Sequence, residues 1–257
     1  MKDLGEAIYV LGIQIHRNRS RDRLGEKLSK AQCPQDDKER TKTKKIPYSS
    51  AVGSLMYAQV CTRPDIAFAI SVLGRYLSNP GWGHWKIAKK VMRYLQGTKN
   101  YMLTYKRSSN LEVIGYSDSD FAGCVDDRKS TSGYIFMMSG GAVSWKSAKQ
   151  TLIATSTMEA EYVACYEATC QAVWLKKLIS GILVVESISR PLTIYCDNAP
   201  TICFSQNYRN FSRTKHFDFK FLFVRENIHE SHTRIEHITT DRMITDPLTK
   251  ALPITIF

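Results

Sequence analysis

Four aspartates crowd into residues 116–133, YSDSDFAGCVDDRKSTSG: Asp118, Asp120, Asp126 and Asp127. Carboxylates at this density can hold divalent cations. Three further acidic residues stand where the chain changes element. Asp118 lies on a strand-like run, Glu161 one turn into a long helical stretch, Asp197 directly after the apolar run LTIYC, and Asp246 in the last helix-prone segment. Acidic groups drawn from four separate elements suit a metal site built by a fold, because four converging carboxylates repel one another unless cations sit between them. Magnesium fits such a set, since it takes oxygen ligands, few of them from protein, and keeps room for water and phosphate. Two such ions side by side stabilise the attacking and leaving oxygens of an in-line displacement at phosphorus.

Other readings of the same residues are weaker. Val125-Asp126-Asp127 invites comparison with a polymerase metal hairpin, but no aromatic-x-Asp-Asp sequence flanked by apolar strands is present. In a polar turn before Arg128 and Lys129, Asp126 and Asp127 are expected to pair with those side chains or to cap nearby amides. Asp120 is assigned to the opposite face of the strand from Asp118. His229, His232 and His237 lack the cysteine pair that would make them a zinc site. Seven cysteines with no C-x-x-C spacing read as reduced thiols of an intracellular protein.

Bringing the carboxylates together requires a sheet. YMLTY (101–105), LEVIGYSD (111–118), YIFMM (134–138) and AVSWK (142–146) have strand composition, the last two joined as a hairpin by Ser139-Gly140-Gly141 with the glycines supplying positive φ. A helix follows from about Thr157 to Ile179, opened by Ser156 or Thr157 and closed by Gly181. LTIYC (192–196) and HTRIEHI (232–238) are strands, 215–228 is helix-prone, and a last helix holds Asp241 to Lys250. This order predicts an α/β fold with a mixed sheet flanked by helices. Upstream, AIYVLGIQIH (7–16) reads as a strand, 17–46 as a charged connector and 47–97 as helices. One helix starts at Thr62-Arg-Pro-Asp65 with Thr62 as its cap; another runs from near Gly81 to Gly97, with Lys86, Lys89, Lys90 and Arg93 gathered on one side.

A chain of 257 residues, 43% apolar, can bury a real core in two modest domains, or in one domain with an appended arm. Its formal charge of +12 calls for a polyanionic partner, nucleic acid first. No 18-residue apolar run is present, and the N-terminus has no secretory-signal pattern, so neither a membrane span nor secretion is expected.

The segments YSDSDFAGCVDDRKSTSGYIF, SWKSAKQTLIATSTMEAEYVA, IYCDN, RTKHFDFKFLFVRE and DRMITDPLTKAL, in this order, resemble the ribonuclease H domain of copia-type LTR retrotransposon polyproteins. MKDLGEA, YVLGIQI, AVGSLMYA, TRPDIAFAI and HWKIAKKVMRYLQGT resemble the tail of the same polyproteins' reverse transcriptase, and a plant element fits best. The resemblance implies a ribonuclease H-like domain over 106–257, preceded over 1–105 by a truncated, mostly helical thumb or connection-like region. The residues that family members carry between the strand near Ile15 and the LSKAQCP segment are missing around Arg23 to Gly25.

It further implies that Asp118, Glu161, Asp197 and Asp246 are the catalytic, metal-binding D-E-D-D set. Thr245 stands where the family has alanine. The cofactor would be two Mg2+ ions, with Mn2+ able to substitute, and the reaction metal-dependent hydrolysis of the RNA strand of an RNA–DNA hybrid. Asn198, Lys146, Lys149, Arg213 and Lys215 would contact nucleic acid, helped by backbone groups near Gly123. The partners implied are the hybrid and the rest of a reverse transcriptase, not a membrane, in a cytoplasmic particle or the nucleus. Thr239 or Thr240 stands where many relatives outside this group carry a product-release histidine. The competing reading is an inactive nucleic-acid-binding remnant of such a polyprotein.

Overall fold

The computed structural model describes residues 28–107, 111–182, 190–206 and 215–250, together with Tyr9–Val10 and Ile13–Gln14. It holds a helical layer followed by an open mixed sheet. The expected strand over 7–16 is instead a small antiparallel pair, β1 (Tyr9–Val10) and β2 (Ile13–Gln14), with Tyr9 opposite Gln14. The charged run taken for a connector contains a helix, α1 (Asp37–Lys44). The Asp36 side chain accepts from Glu39 N, and acidic residues sit at the positive end and lysines at the negative end of the helix dipole.

Helices α2 (Tyr48–Cys61), α3 (Ala67–Gly74) and α4 (Trp82–Gly97) share one apolar core of Tyr48, Val52, Leu55, Ile70, Leu73, Ile87, Val91 and Tyr94. Thr62 ends α2 rather than capping the next helix, and Pro64–Ile66 form a 3-10 turn that runs into α3. Asp65 turns away from the helix end because Arg63 takes it: Nε and Nη2 donate to its two oxygens at 2.9 and 2.7 Å, and Nη2 also reaches the Thr98 hydroxyl at 2.7 Å. Both charges are buried. Asp65→Ala would strand the guanidinium without its counter-charge, and a loss of about 3–5 kcal/mol is expected in urea unfolding.

The sheet has the order β5-β4-β3-β6-β7, built from β3 (Val113–Asp120), β4 (Thr131–Met138), β5 (Gly141–Lys149), β6 (Leu192–Cys196) and β7 (Thr233–His237). β3, β4 and β5 are antiparallel neighbours, whereas β6 and β7 run parallel to β3. Between them lie α5 (Thr157–Ile182), α6 (Ala199–Gln206), α7 (Lys215–His229) and, after β7, the short α8 (Asp246–Thr249). The predicted last helix is thus a 3-10 turn at Thr240–Arg242 followed by a single α-turn. The segment 101–105 joins no ladder; it lies across the β4–β5 hairpin, with Lys106 N donating to Ser139 O and Tyr105 Oη to Ala142 O. The hairpin's positive φ values fall on Ser139 and Gly140. Gly141 serves a different purpose, since a Cβ there would stand 2.6 Å from the Tyr105 ring.

Alternation along β4 splits the core into two layers. Tyr134 and Phe136 face α5, together with Val113, Ile194 and Tyr162; Ile135 and Met137 face Ala67 of α3 and Leu248 of α8. Trp145 Nε1 donates to Gln59 O of α2 at 3.0 Å. The helical region therefore covers the second face of the sheet. Among the described residues, no helix is long and apolar enough to cross a membrane.

Candidate active site

The parallel register of β3 and β6 sets Tyr116 beside Tyr195, so two residues further on Asp118 and Asp197 emerge together at the ends of neighbouring strands. Strand spacing puts their backbones about 5 Å apart. Glu161 arrives from α5, whose start explains the choice between its two glutamates. The Ser156 hydroxyl accepts from Glu159 N, and the Glu159 carboxylate accepts from the Thr155 amide and hydroxyl, both at 2.6 Å, as a helix N-terminus requires. Glu159 is consumed by capping. Glu161, two residues later, turns inward, and its Oε1 accepts from Ser119 N at 3.1 Å.

Asp246 opens α8, which the buried Leu248 pins to the sheet over Gly133. Gly133 lies opposite Asp118 in the ladder, and a Cβ on it would sit 2.7 Å from Thr249 Cγ2 and 2.9 Å from Leu248 Cβ. That close approach lets Thr249 donate its hydroxyl to Asp118 and brings Lys250 over both aspartates, at 2.8 Å from Asp246 Oδ1 and 3.7 Å from Asp118 Oδ2. Gly133→Ala should push α8 off β4. The expected result is a folded protein with at least tenfold lower divalent-cation affinity, about 1.4 kcal/mol, read by calorimetric titration.

The electrostatics are those of crowded acids short of positive charge. Burial, with lesser contributions from Asp246 and Asp197, pushes Asp118 up to about 6, despite opposition from Lys250 and Thr249. Burial and then Asp118 push Glu161 up to about 9. Burial works against the Lys250 ammonium, but Asp118 and Asp246 outweigh it and its pKa is raised. Glu161 Oε2 is buried with no hydrogen-bond partner, and Asp197 Oδ2 is held by the Thr240 hydroxyl at 2.9 Å. An unpartnered, buried carboxylate oxygen beside a second acid suits a hard divalent cation, which would supply the missing positive charge.

All four expected carboxylates therefore converge. Asp120 corrects the strand reading: the two-residue repeat places it on the same face as Asp118, and it is kept apart by packing, its carboxylate folded against Gly123 in the turn after β3. Asp127 caps Lys129 N as expected, but its ion pair is with Lys149 at 2.6 Å, and Asp126 accepts from Lys30 N and Tyr76 Oη. Lys149 is thus held by Asp127, and Lys146 by Glu167 at 3.0 Å. The Asn198 oxygen caps α6 through Thr201 N. Arg213 lies outside the described residues; Lys215 begins α7. Thr249 and Lys250 were not anticipated as site residues, and Thr240, noted only as standing where relatives carry a histidine, holds Asp197. For Lys250, the four-residue spacing from Asp246 was the available signal.

No family model matches the chain. It is 39% identical over 282 residues to the "Retrovirus-related Pol polyprotein from transposon TNT 1-94" of Nicotiana tabacum, covering 98% of this chain and 21% of that protein. The aligned span is longer than the chain itself, so the tobacco protein carries residues within it that have no counterpart here. The chain spans about a fifth of that relative's length. It is also 52% identical over 132 residues to "Secreted RxLR effector protein 161" of Plasmopara viticola, covering 51% of this chain and 93% of that one. Among solved structures, a foamy viral protease-reverse transcriptase in complex with dsDNA superposes with a TM-score of 0.50 at 12% identity, over 80% of this chain and 42% of that one. With 80% of the chain covered, the likeness is one of fold and takes in parts of both the helical layer and the mixed sheet.

Proposed function

Because the chain belongs to the retrovirus-related Pol polyproteins of copia-type transposons, we propose that it is a ribonuclease H-type endonuclease that hydrolyses the RNA strand of RNA–DNA hybrids during reverse transcription. The observation that carries this reading is the gathering of Glu161, Asp197 and Asp246 about Asp118, with one buried oxygen of Glu161 left without a partner. Residues 106–257 are assigned to the nuclease domain and 1–105 to a reverse-transcriptase thumb or connection-like region. The wider partner would be the remainder of that enzyme, inside the cell.

Asp118, Glu161, Asp197 and Asp246 would together hold two Mg2+ ions, or Mn2+ in their place. Bound there, the ions supply Lewis-acid stabilisation of the phosphoryl oxygens and an acidified water. The chain's own groups do the positioning. Thr249 orients Asp118, Thr240 orients Asp197, and Ser119 N fixes one oxygen of Glu161. Asn198 and the backbone around Gly123 stand beside the strand ends, where contacts to a 2′-hydroxyl would separate RNA from DNA. Lys146, Lys149, Arg213 and Lys215 are the proposed phosphate contacts; the first two must exchange a carboxylate for a phosphate, which favours binding at low salt.

Lys250 occupies the gap between Asp118 and Asp246. Lys250→Met removes that ammonium. It should lower the melting temperature of the metal-free protein and raise Mn2+ affinity about tenfold, read by electron paramagnetic resonance titration.

The test of the reading is direct. The chain is incubated with a labelled RNA–DNA hybrid in magnesium, beside duplex DNA, duplex RNA and a chelator control. Cutting of RNA in the hybrid alone, lost on chelation, is expected. Salt-sensitive hybrid binding without cleavage would instead identify a binding remnant.

A further inference from the structure

Cys196, the last residue of β6, immediately precedes Asp197, and its side chain is fully buried. Its Sγ, a carboxylate oxygen of Glu161 and one of Asp197 all lie within 4.8 Å of one another. Ligand atoms in a tetrahedral zinc site stand about 3.3–3.8 Å apart, so these three need to close by only about 1 Å. Glu161 is 6% exposed, and its Oε2 lacks a hydrogen-bond partner. One donor already faces the sulfur as it would a metal-bound thiolate, Asn198 N at 3.4 Å, while the Cys196 thiol itself donates to Cys165 Sγ, which lies 3.2 Å from Ser117 Oγ.

We propose that Cys196, Glu161 and Asp197 form a site for one thiophilic divalent cation of the zinc or cadmium class, and that its capture ties up two of the four catalytic carboxylates. The step is a ligand exchange. The Cys196 S–H bond breaks, its proton leaves to solvent, and a metal–sulfur bond forms; no electron changes hands. Magnesium, an oxygen-seeking ion, cannot replace that proton and leaves the thiol intact, whereas zinc and cadmium favour sulfur. The same pocket therefore accepts a working ion or an inhibitory one according to whether the sulfur joins the shell. That the capture inhibits rests on the nuclease reading above; the binding itself does not.

Cadmium ion alone is the probe, added to the full chain in which the exposed Cys61 and Cys203 are replaced by serine. One equivalent should produce a thiolate-to-cadmium charge-transfer band in the ultraviolet. Cys196→Ser should abolish the band, and Glu161→Gln should weaken cadmium binding at least about tenfold, no less than loss of an outer-shell partner costs. Asp197→Asn, whose side chain lies outside the apolar core, should weaken it likewise and guards against a folding defect in the buried variants. A band that survives Cys196→Ser, or an affinity indifferent to both carboxylate changes, overturns the proposal. Magnesium-dependent cleavage of the hybrid by the unaltered chain is scored separately: its absence would sink the nuclease and leave the cadmium band standing.

Discussion

Replacing Asp118 by asparagine should reduce hybrid cleavage by about a thousandfold or more while raising the melting temperature of the metal-free protein at pH 8 by about 4 °C. Both effects have one cause. Asp118 is buried beneath Thr249 and beside three other acids, so its charge is costly until cations arrive. Its pKa, pushed up to about 6 chiefly by burial, means that the ionised form weakens the metal-free fold at pH 8. An amide of the same shape keeps the Thr249 hydrogen bond and removes the charge. It also removes one of the proposed metal ligands, and the ions' contribution would be worth several kcal/mol of transition-state stabilisation. Cleavage within tenfold of the parent would place the chemistry elsewhere. A lowered melting temperature would show that the attraction of Lys250 for Asp118 exceeds the cost of burial.

The metal-free protein should lose stability as pH rises from about 5 to 9, by roughly 5 °C in melting temperature, and saturating magnesium should cancel the loss. The sign follows from the direction of the shifts. Glu161 is pushed from the usual carboxylate range up to about 9 and Asp118 up to about 6, so between those values and about 4 the folded state holds protons that the unfolded state has released. Stability from these two acids is complete below the unfolded pKa and declines as pH climbs towards the folded ones. Because the two carboxylates interact, they titrate as a pair, and the decline is one broad transition. Glu161→Gln should flatten the profile. A profile rising with pH in chelator would mean that Glu161 Oε2 finds a donor in solution.

Much of this protein was legible in the residues alone. Strand composition located β3, β4, β5, β6 and β7, the long apolar-faced run located α5, and the four carboxylates could be picked out because each sits at or near an element's end, where a fold must expose its chemistry. What failed were features set by partners distant in the chain. The strand reading of 101–105 failed because β-propensity cannot say whether a ladder edge is open to receive it. Thr62-Arg-Pro-Asp65 looked like a helix start until Arg63, itself anchored on Thr98, claimed the Asp65 carboxylate.

Asp120 was separated from Asp118 by the wrong reason and kept apart by a turn glycine. Thr249 and Lys250 joined the site only because α8 folds back over Gly133, 131 residues of chain away from Asp118 in the case of the Thr249 bond. Sequence by itself determined which side chains could carry charge and which elements present them, since both follow from residue type and short-range periodicity. Tertiary structure alone decided which carboxylates are buried, which are already paired and which sulfur lies among them. Those depend on packing between segments that nothing in the local sequence obliges to meet.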